Sequence, residues 1–421
     1  MRKMKNSGIE WIGQIPEDWE LTTYRRGFSR RKEYDDNDKQ VLSLTIQGVK
    51  EKNESYGKMA EDFTGHQIVK KDDLVFTPRD FDATPILSGI APCDGCISNL
   101  YFVLYPHDTT KTYVPYFNYF MWGVKWGGDI WRKLSYGMRF SYNFQQFGAL
   151  PTVMPPIETQ KRIANFLDEK CGKIDRYIEK QQQVIEKLKA YKQSVITEAV
   201  TKGLDPDVQM KDSGVEWIGM IPEHWKTPEI KYLVRIASGG TPDRNHPEYW
   251  NGNIPWIKTG ELQNDIITNA EEHITEEGLN NSSAQIFNIN TILVAMYGQG
   301  KTRGMTALLK APAATNQACA GLTVTSSNVL IEYLWQCLIG AYDAIRSEAA
   351  GSGQPNLSAT LIGNFHIALP PVEEQGLIVE YIKDRTVEIK STIHKAEKLL
   401  EKLTEYKKSL IYEAVTGKLE V

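Results

Sequence analysis

Ser7-Gly-Ile-Glu-Trp-Ile-Gly-Gln-Ile-Pro-Glu-Asp-Trp19 returns as Ser213-Gly-Val-Glu-Trp-Ile-Gly-Met-Ile-Pro-Glu-His-Trp225, with ten of thirteen positions identical at an offset of 206. A second pair opens at Pro155-Pro-Ile-Glu-Thr-Gln160 and Pro370-Pro-Val-Glu-Glu-Gln375, now at an offset of 215. It runs without a gap to Glu198-Ala-Val-Thr-Lys-Gly-Leu204 and Glu413-Ala-Val-Thr-Gly-Lys-Leu419. The second intervening segment is therefore nine residues longer (215 − 206). Repetition on this scale decides the architecture before any local pattern does. The order is box, variable globule, repeated segment, then the same again. Drift after a tandem duplication spreads differences evenly. Here they concentrate in the middles, as expected where the frames must match and the middles must recognise different things.

Outward from the boxes, the repeated segments change to a 4-3-4-3 apolar spacing. One seam reads Ile174, Ile178, Gln181, Ile185, Leu188, Lys192, Val195, and adding 215 gives Ile389, Ile393, Ala396, Leu400, Leu403, Lys407, Leu410. Three heptads with charged residues between them predict coiled-coil helices. No proline follows the opening pairs, and Gly203 and Gly417 stand where helix stops belong. A helix from 158 to about 201 would be roughly 60–65 Å long at 1.5 Å per residue. A whole globule separates the two helices, so they are expected to pair antiparallel. Each could equally pair with a helix of another chain. Lys192, Lys407 and Gln181 are the polar seam residues that fix register at some cost in stability.

The middles, 20–154 and 226–369, alternate short strand-like runs with Gly/Pro/Asn turns. Strands are expected at 41–45, 74–76, 97–104, 254–258, 291–296 and 322–325, and helices at 114–122 and 330–346. The fold class is therefore α+β: two similar globules separated by two long helices, with pseudo-twofold internal symmetry. The segments divide as 1–154, 155–210, 211–369 and 370–421.

Composition excludes several classes. Hydrophobic residues make up 41% of the 421 and charged residues 24%, a folded, non-membrane profile. No apolar run follows the basic start Met1-Arg-Lys-Met-Lys-Asn6, so a cytoplasmic protein is expected. Five cysteines make no disulfide framework. Cys93 and Cys96 have zinc-knuckle spacing without a second pair, and two small residues in a turn is the better account, so no metal is expected. Net charge is −4. Residues 1–155 hold 20 basic against 19 acidic side chains, and residues 213–370 hold 9 against 14. Nucleic-acid binding must then rest on local clusters or on a basic partner.

The most tempting motif is Ala295-Met-Tyr-Gly-Gln-Gly-Lys-Thr302, a relaxed phosphate-binding loop with Ala295 in place of the first glycine. The next residues, Arg303-Gly-Met-Thr-Ala-Leu-Leu-Lys-Ala-Pro312, make a poor helix and so a poor phosphate seat. A glycine-rich loop carrying Gln299, Lys301 and Arg303 suits a duplex better. Arg or Lys bonds guanine O6 and N7, and Gln bonds adenine N6 and N7. The comparable step in the first globule places Arg79 after 74–76. Arg139, Tyr142 and Asn143 stand where Gln354 and Asn356 stand in the second. The run Arg25, Arg26, Arg30, Arg31, Lys32 could follow phosphates, which position without conveying sequence. Carboxylate pairs such as Glu271-Glu272 are expected to be solvated surface. Both Pro-Pro pairs lack the flanking residues of an adenine methyltransferase loop, and no GxGxxG, HExxH or GxSxG pattern occurs, so no catalytic residue is expected.

The boxes, together with Gly239-Gly-Thr-Pro242, Ile254-Pro-Trp256, Met296–Gly304 and Gln354-Pro-Asn-Leu-Ser358, resemble type I restriction-modification specificity subunits. The resemblance covers the whole chain, although the first globule lacks a counterpart of Gly298–Gly304. It implies that each globule is a target recognition domain reading one half of a bipartite, asymmetric DNA site, with Thr241 and Lys258 joining the residues above as DNA contacts. It implies that the helices, through Ile174, Ile178, Ile185, Leu188, Val195, Ile389, Ile393, Leu400, Leu403 and Leu410, set the separation and dock two modification (methyltransferase) subunits. Restriction subunits, which are ATP-dependent translocase-nucleases, would join them. S-adenosylmethionine, ATP and magnesium would be cofactors of those partners and not of this chain. The assembled complex would be an adenine-specific methyltransferase and endonuclease. The residues alone leave open two other classes: an adaptor presenting two protein-binding globules on a coiled coil, and a phosphate-loop nucleotide binder.

Overall fold

The structure, a computed structural model, describes all residues except 1, 35–39, 53–64, 80–85, 128–129, 136–140, 299 and 351–355. The chain forms two compact units, Met1–Gln183 with Glu397–Val421, and Val184–Ala396. Each unit is α+β and holds one globule, the beginning of one long helix and the end of the other.

The long helices are Ile157–Lys202 and Val372–Val415. Burial along them follows the expected seam. Ile174, Ile185 and Val195 are buried in the first and Ile389, Ala396 and Leu410 in the second, while Ile178, Leu188, Ile393, Leu400 and Leu403 are half-buried and most flanking positions are exposed. Two pairs report direction. Lys407 Nζ lies 2.6 Å from Asp175 Oδ1 inside the first unit, and Lys192 is within electrostatic reach of Lys390 inside the second. Both pairs of numbers sum to 582, the signature of antiparallel pairing. The helices stop at the foreseen glycines, Gly203 (φ +78°) and Gly417 (φ +74°), where the left-handed backbone favours a residue without Cβ. Gly203 lies against Trp225 and Pro222, and Gly417 against Trp19 and Pro16. The box of each copy thus packs on the end of the helix that closes the other copy.

The boxes themselves are small hairpins. Met4–Asn6 pairs with Gln14–Pro16, and Met210–Asp212 pairs with Met220–Pro222 in the same register. Ser7 N–H donates to Gly13 O, and Ser213 N–H to Gly219 O. Both turns need positive φ at their glycines, which is why Ser-Gly and the later Gly recur. Trp19 and Trp225 are fully buried.

Each globule carries a sheet in one common order. In the first it runs Phe28–Arg30, Phe102–Pro106, Leu74–Phe76, Ser88–Ile90, all antiparallel. In the second it runs Val234–Ser238, Cys319–Val324, Thr291–Ala295, Thr306–Leu309, with Asp265–Ile267 added in parallel. The expected strand at 97–104 is two strands, Gly95–Ile97 and Phe102–Pro106, and the expected helix at 330–346 is two helices, Ile331–Gly340 and Tyr342–Ala350. Val114–Trp126 and Ile331–Gly340 pack on long-helix ends through matching features. Tyr116 Oη donates to Val415 O at 2.8 Å, and Tyr333 Oη lies 3.3 Å from Val200 O while donating to the nearer Ala368 O at 2.8 Å. A Cβ on Gly123 or Gly340 would meet Val415 or Val200 first, at 2.8 and 3.1 Å.

The glutamine of the Pro-Pro box is the joint of each frame. Gln160 accepts from Tyr113 N–H and donates to Lys111 O and Pro155 O, while Gln375 accepts from Leu330 N–H and donates to Asn328 O and Pro370 O. Both side chains are fully buried. A primary amide with its acceptor and both donors engaged can be buried there without penalty and ties the helix start to the globule.

Candidate nucleic-acid interface

In each unit the structure brings the two predicted loop segments together. Tyr142 N–H donates to Pro78 O (2.8 Å), which places 142–143 beside Arg79. Leu357 N–H donates to Met296 O (3.0 Å), which places 356–358 at the root of loop 296–304. Asn143 caps the helix Phe144–Ala149 by accepting from Gln146 N–H, and Ser358 caps Ala359–Asn364 by accepting from Leu361 N–H. The structural match is thus Tyr142 with Leu357 and Asn143 with Ser358, at the same offset of 215 as the helices.

Tyr142 as a DNA contact is corrected. It is 5% exposed, its ring meets Trp131 edge-on, and its hydroxyl donates to Trp131 O at 2.7 Å. An aromatic ring gains more by filling the core than by facing water, so it plugs the globule as Leu357 does in the other copy. Asn143 is exposed, but its carbonyl oxygen is spent on the cap. Arg79 is half-buried and within electrostatic reach of the Tyr101 hydroxyl. Arg139, Gln299 and Gln354 lie outside the described residues.

Part of the basic run is also corrected. Arg31 is buried and holds Asp73 with Nε (2.9 Å) and Nη2 (3.2 Å), a two-pronged pair that ties two strands together. Arg30 stacks 4.7 Å from the Phe102 ring. Only Arg25, Arg26 and Lys32 remain exposed.

In the second unit, Thr241 and Lys258 line one open cavity of about 640 Å³ with Arg244, Trp256, Asn316 and Gln317. Thr241 donates to Gln317 Oε1. Arg244 lies 3.7 Å over Trp250 and 5.2 Å from Trp256. Its guanidinium reaches Glu272 at 2.7 Å, and Lys258 reaches Glu271 at 3.0 Å and Glu272 at 3.1 Å. Hydrogen bonds from Arg244 and then Lys258 hold the Glu272 carboxyl below the usual range, and the two glutamates hold Lys258 above its own. Glu271 and Glu272 are therefore counter-charges of this wall and not idle surface. Arg244 and Gln317 went unseen in the sequence, because their partners lie in other strands and loops.

The glycine loop 296–304 is a hairpin connection. It leaves Thr291–Ala295 and returns antiparallel as Thr306–Leu309. A phosphate loop needs a helix N-terminus where this chain has a strand, so the nucleotide-binding reading falls. Lys301 is exposed and Arg303 half-buried. Asn356 is exposed.

Elsewhere, Cys96 is buried in its strand and Cys93 points its thiol at Glu51 (3.6 Å). Among the described residues no helix is long and apolar enough to cross a membrane.

The comparisons agree with the repeat. A family model described as the type I restriction modification DNA specificity domain matches residues 222–402. The chain is 31% identical over 195 residues to the MjaIX specificity subunit of Methanocaldococcus jannaschii, covering 44% of this chain and 43% of that protein. It is 29% identical over 197 residues to the EcoR124I/EcoR124II specificity subunit of Escherichia coli, covering 45% of this chain and 48% of that one. The chain thus spans less than half the length of these two relatives. A chain solved in work on complex assembly and conformational transition of the type I R-M system superposes with a TM-score of 0.69 at 13% identity, over 96% of this chain and 99% of that one, which shows the fold. Residues 222–402 thus match the type I restriction modification DNA specificity domain, and the chain as a whole shares its fold with the chain solved in work on the type I R-M system.

Proposed function

We propose that this chain reads a bipartite, asymmetric duplex sequence as the non-catalytic specificity subunit of a cytoplasmic type I complex. Segments 1–154 and 211–369 act as the two target recognition domains, and 155–210 and 370–421 as spacers that dock two methyltransferase subunits. Restriction subunits complete the assembly. S-adenosylmethionine, ATP and magnesium serve those partners. One observation carries this reading: two frames alike to the hydrogen bond, at Gln160 and Gln375, support loops of unlike sequence at the same place. Matched frames can bind identical partners twice, while unlike loops read an unlike pair of half-sites. The DNA contacts proposed are Arg79, Arg139, Asn143, Thr241, Lys258, Gln299, Lys301, Arg303, Gln354 and Asn356.

The test is to sequence methylated adenines in host DNA with the gene present and deleted. One bipartite motif should vanish with the gene. If the methylation pattern is unchanged, the reading fails. Inserting four residues into each long helix adds roughly 6 Å, and with about 3.4 Å between neighbouring phosphates the unread spacer should grow by one or two base pairs. An unchanged spacer would remove the helices' role as ruler.

A further inference from the structure

Loop 296–304 is fastened by one face of a single helix. Tyr342 and Arg346, one turn apart on Tyr342–Ala350, reach three of its carbonyls. Tyr342 Oη donates to Lys301 O at 2.6 Å, Arg346 Nη1 to Arg303 O at 2.7 Å, and Arg346 Nη2 to Gly300 O at 2.9 Å. The loop's exit lies on the same two side chains. A Cβ added to Gly304 (φ +84°) would stand 3.3 Å from the Arg346 stem and 3.5 Å from the Tyr342 ring. Bonds from a guanidinium are charge-assisted, and its planar fork spans two acceptors that an ammonium cannot.

The loop has reason to need fastening. Gly298 (φ +144°) and Gly300 (φ +61°) adopt backbone that side chains rarely take, and free glycines spread over many such conformers. Base edges are read only by donors held in place, whereas phosphates attract any nearby positive charge. The charges here are also of a different kind from those of the cavity wall. Lys258 and Arg244 are paired with Glu271 and Glu272, but among the described residues no carboxylate is ion-paired to Lys301, Arg303 or Arg346. In a stretch with five more acidic than basic residues (14 − 9), this loop keeps uncompensated positive charge.

We propose that Arg346 and Tyr342 are positioning residues that preset loop 296–304, so that the selectivity of one half-site is set by this helix as well as by the loop. The inference rests on the reading of the chain as a DNA recogniser. Loss of the clamp should blur the choice of bases while leaving the electrostatic pull on the backbone in place.

The experiment uses the full chain assembled with its methyltransferase subunits and a randomised duplex library, followed by affinities for the selected duplex, for single-mismatch duplexes and for an unrelated duplex. Arg346→Lys keeps the charge and loses the fork; Tyr342→Phe loses one hydroxyl. Each should lower discrimination at one half-site by about fivefold or more, the scale of one base-pair contact. The other half-site and the affinity for unrelated duplex should hold. Lys301→Ala should relax that same half-site, which identifies it as the loop's own. Unchanged discrimination in both clamp variants overturns the proposal, as does equal relaxation of both half-sites, which would report a general loss of stability. If Arg346→Lys does not fold, Tyr342→Phe decides alone. A wild-type complex that selects no motif is a separate outcome: it sinks the reading of the chain as a DNA recogniser, and the inference with it.

Discussion

In the first unit a three-residue strand, Leu74–Phe76, delivers Arg79 to the loop face, and an aromatic cluster of Tyr24, Phe76, Trp131, Tyr142 and Phe147 fills the space beneath. In the second, the equivalent strand Thr291–Ala295 turns back through a glycine hairpin. Aliphatic residues such as Ile292, Val294, Leu308 and Leu357 fill that space. Below these differences lie a tyrosine hydroxyl facing a helix-end carbonyl, the same glycine contact and the same glutamine joint. The frame is kept in both copies, while the core above it changed chemistry. Constraint here lies in how globule meets helix. The loops need only a firm floor, and aromatic or aliphatic packing serves equally well.

The severest way to break this comparison is to remove the joint. Gln160→Ala would strand the Tyr113 N–H and the carbonyls of Lys111 and Pro155, and Gln375→Ala would do the same to Leu330, Asn328 and Pro370. Buried polar groups left unpaired cost about 1–3 kcal/mol each, so each substitution should cost about 3 kcal/mol or more. Urea melts of the two variants should agree. A benign change in one copy and a severe one in the other would mean that the frames only look alike.

A smaller effect separates floor from face. Tyr142→Phe removes the donor to Trp131 O and should lower stability by about 1 kcal/mol. Base selectivity should not change. Relaxed discrimination at a half-site would return Tyr142 to the DNA-contacting residues.

What could be read from sequence divides along the same line. The seam from Ile174 to Val195, its copy from Ile389 to Leu410, and the stops at Gly203 and Gly417 were legible because each follows from a repeat of three or four residues along one helix. Tyr142 was misread because a tyrosine among Gly, Ser and Asn looks like loop surface, and its partner Trp131 is set by tertiary packing. Arg31 was misread for the same reason, since Asp73 is 42 residues away. The clamp at Arg346 spans 43 and 46 residues and has no local pattern at all. The site was legible as a set of loops, and much less so as a set of side chains.

The finest test uses the two seam lysines. Lys407 and Lys192 are equivalent by the offset of 215, and so are their neighbours Lys390 and Asp175. In the first unit the pair is Lys407 with Asp175, an attraction at 2.6 Å. In the second it is Lys192 with Lys390, a repulsion, eased where Asp265 stands 3.6 Å from Lys390. Burial first and Lys390 second push the Lys192 ammonium below its ordinary value, so its charge opposes folding. Lys192→Leu should then stabilise, whereas Lys407→Leu gains similar apolar contact but loses an ion pair. The two substitutions should differ by about 0.5–1 kcal/mol in favour of the first. The sign with pH comes from the lowered value. Below it both folded and unfolded chains carry the charge and the penalty is complete. As pH rises through it the folded chain sheds the proton first, and the wild type recovers. The advantage of Lys192→Leu measured in urea at neutral pH should therefore shrink near pH 10, close to the ordinary lysine value of about 10.4. If both lysines respond alike, the inverted charge at this one step of the seam has no energetic consequence.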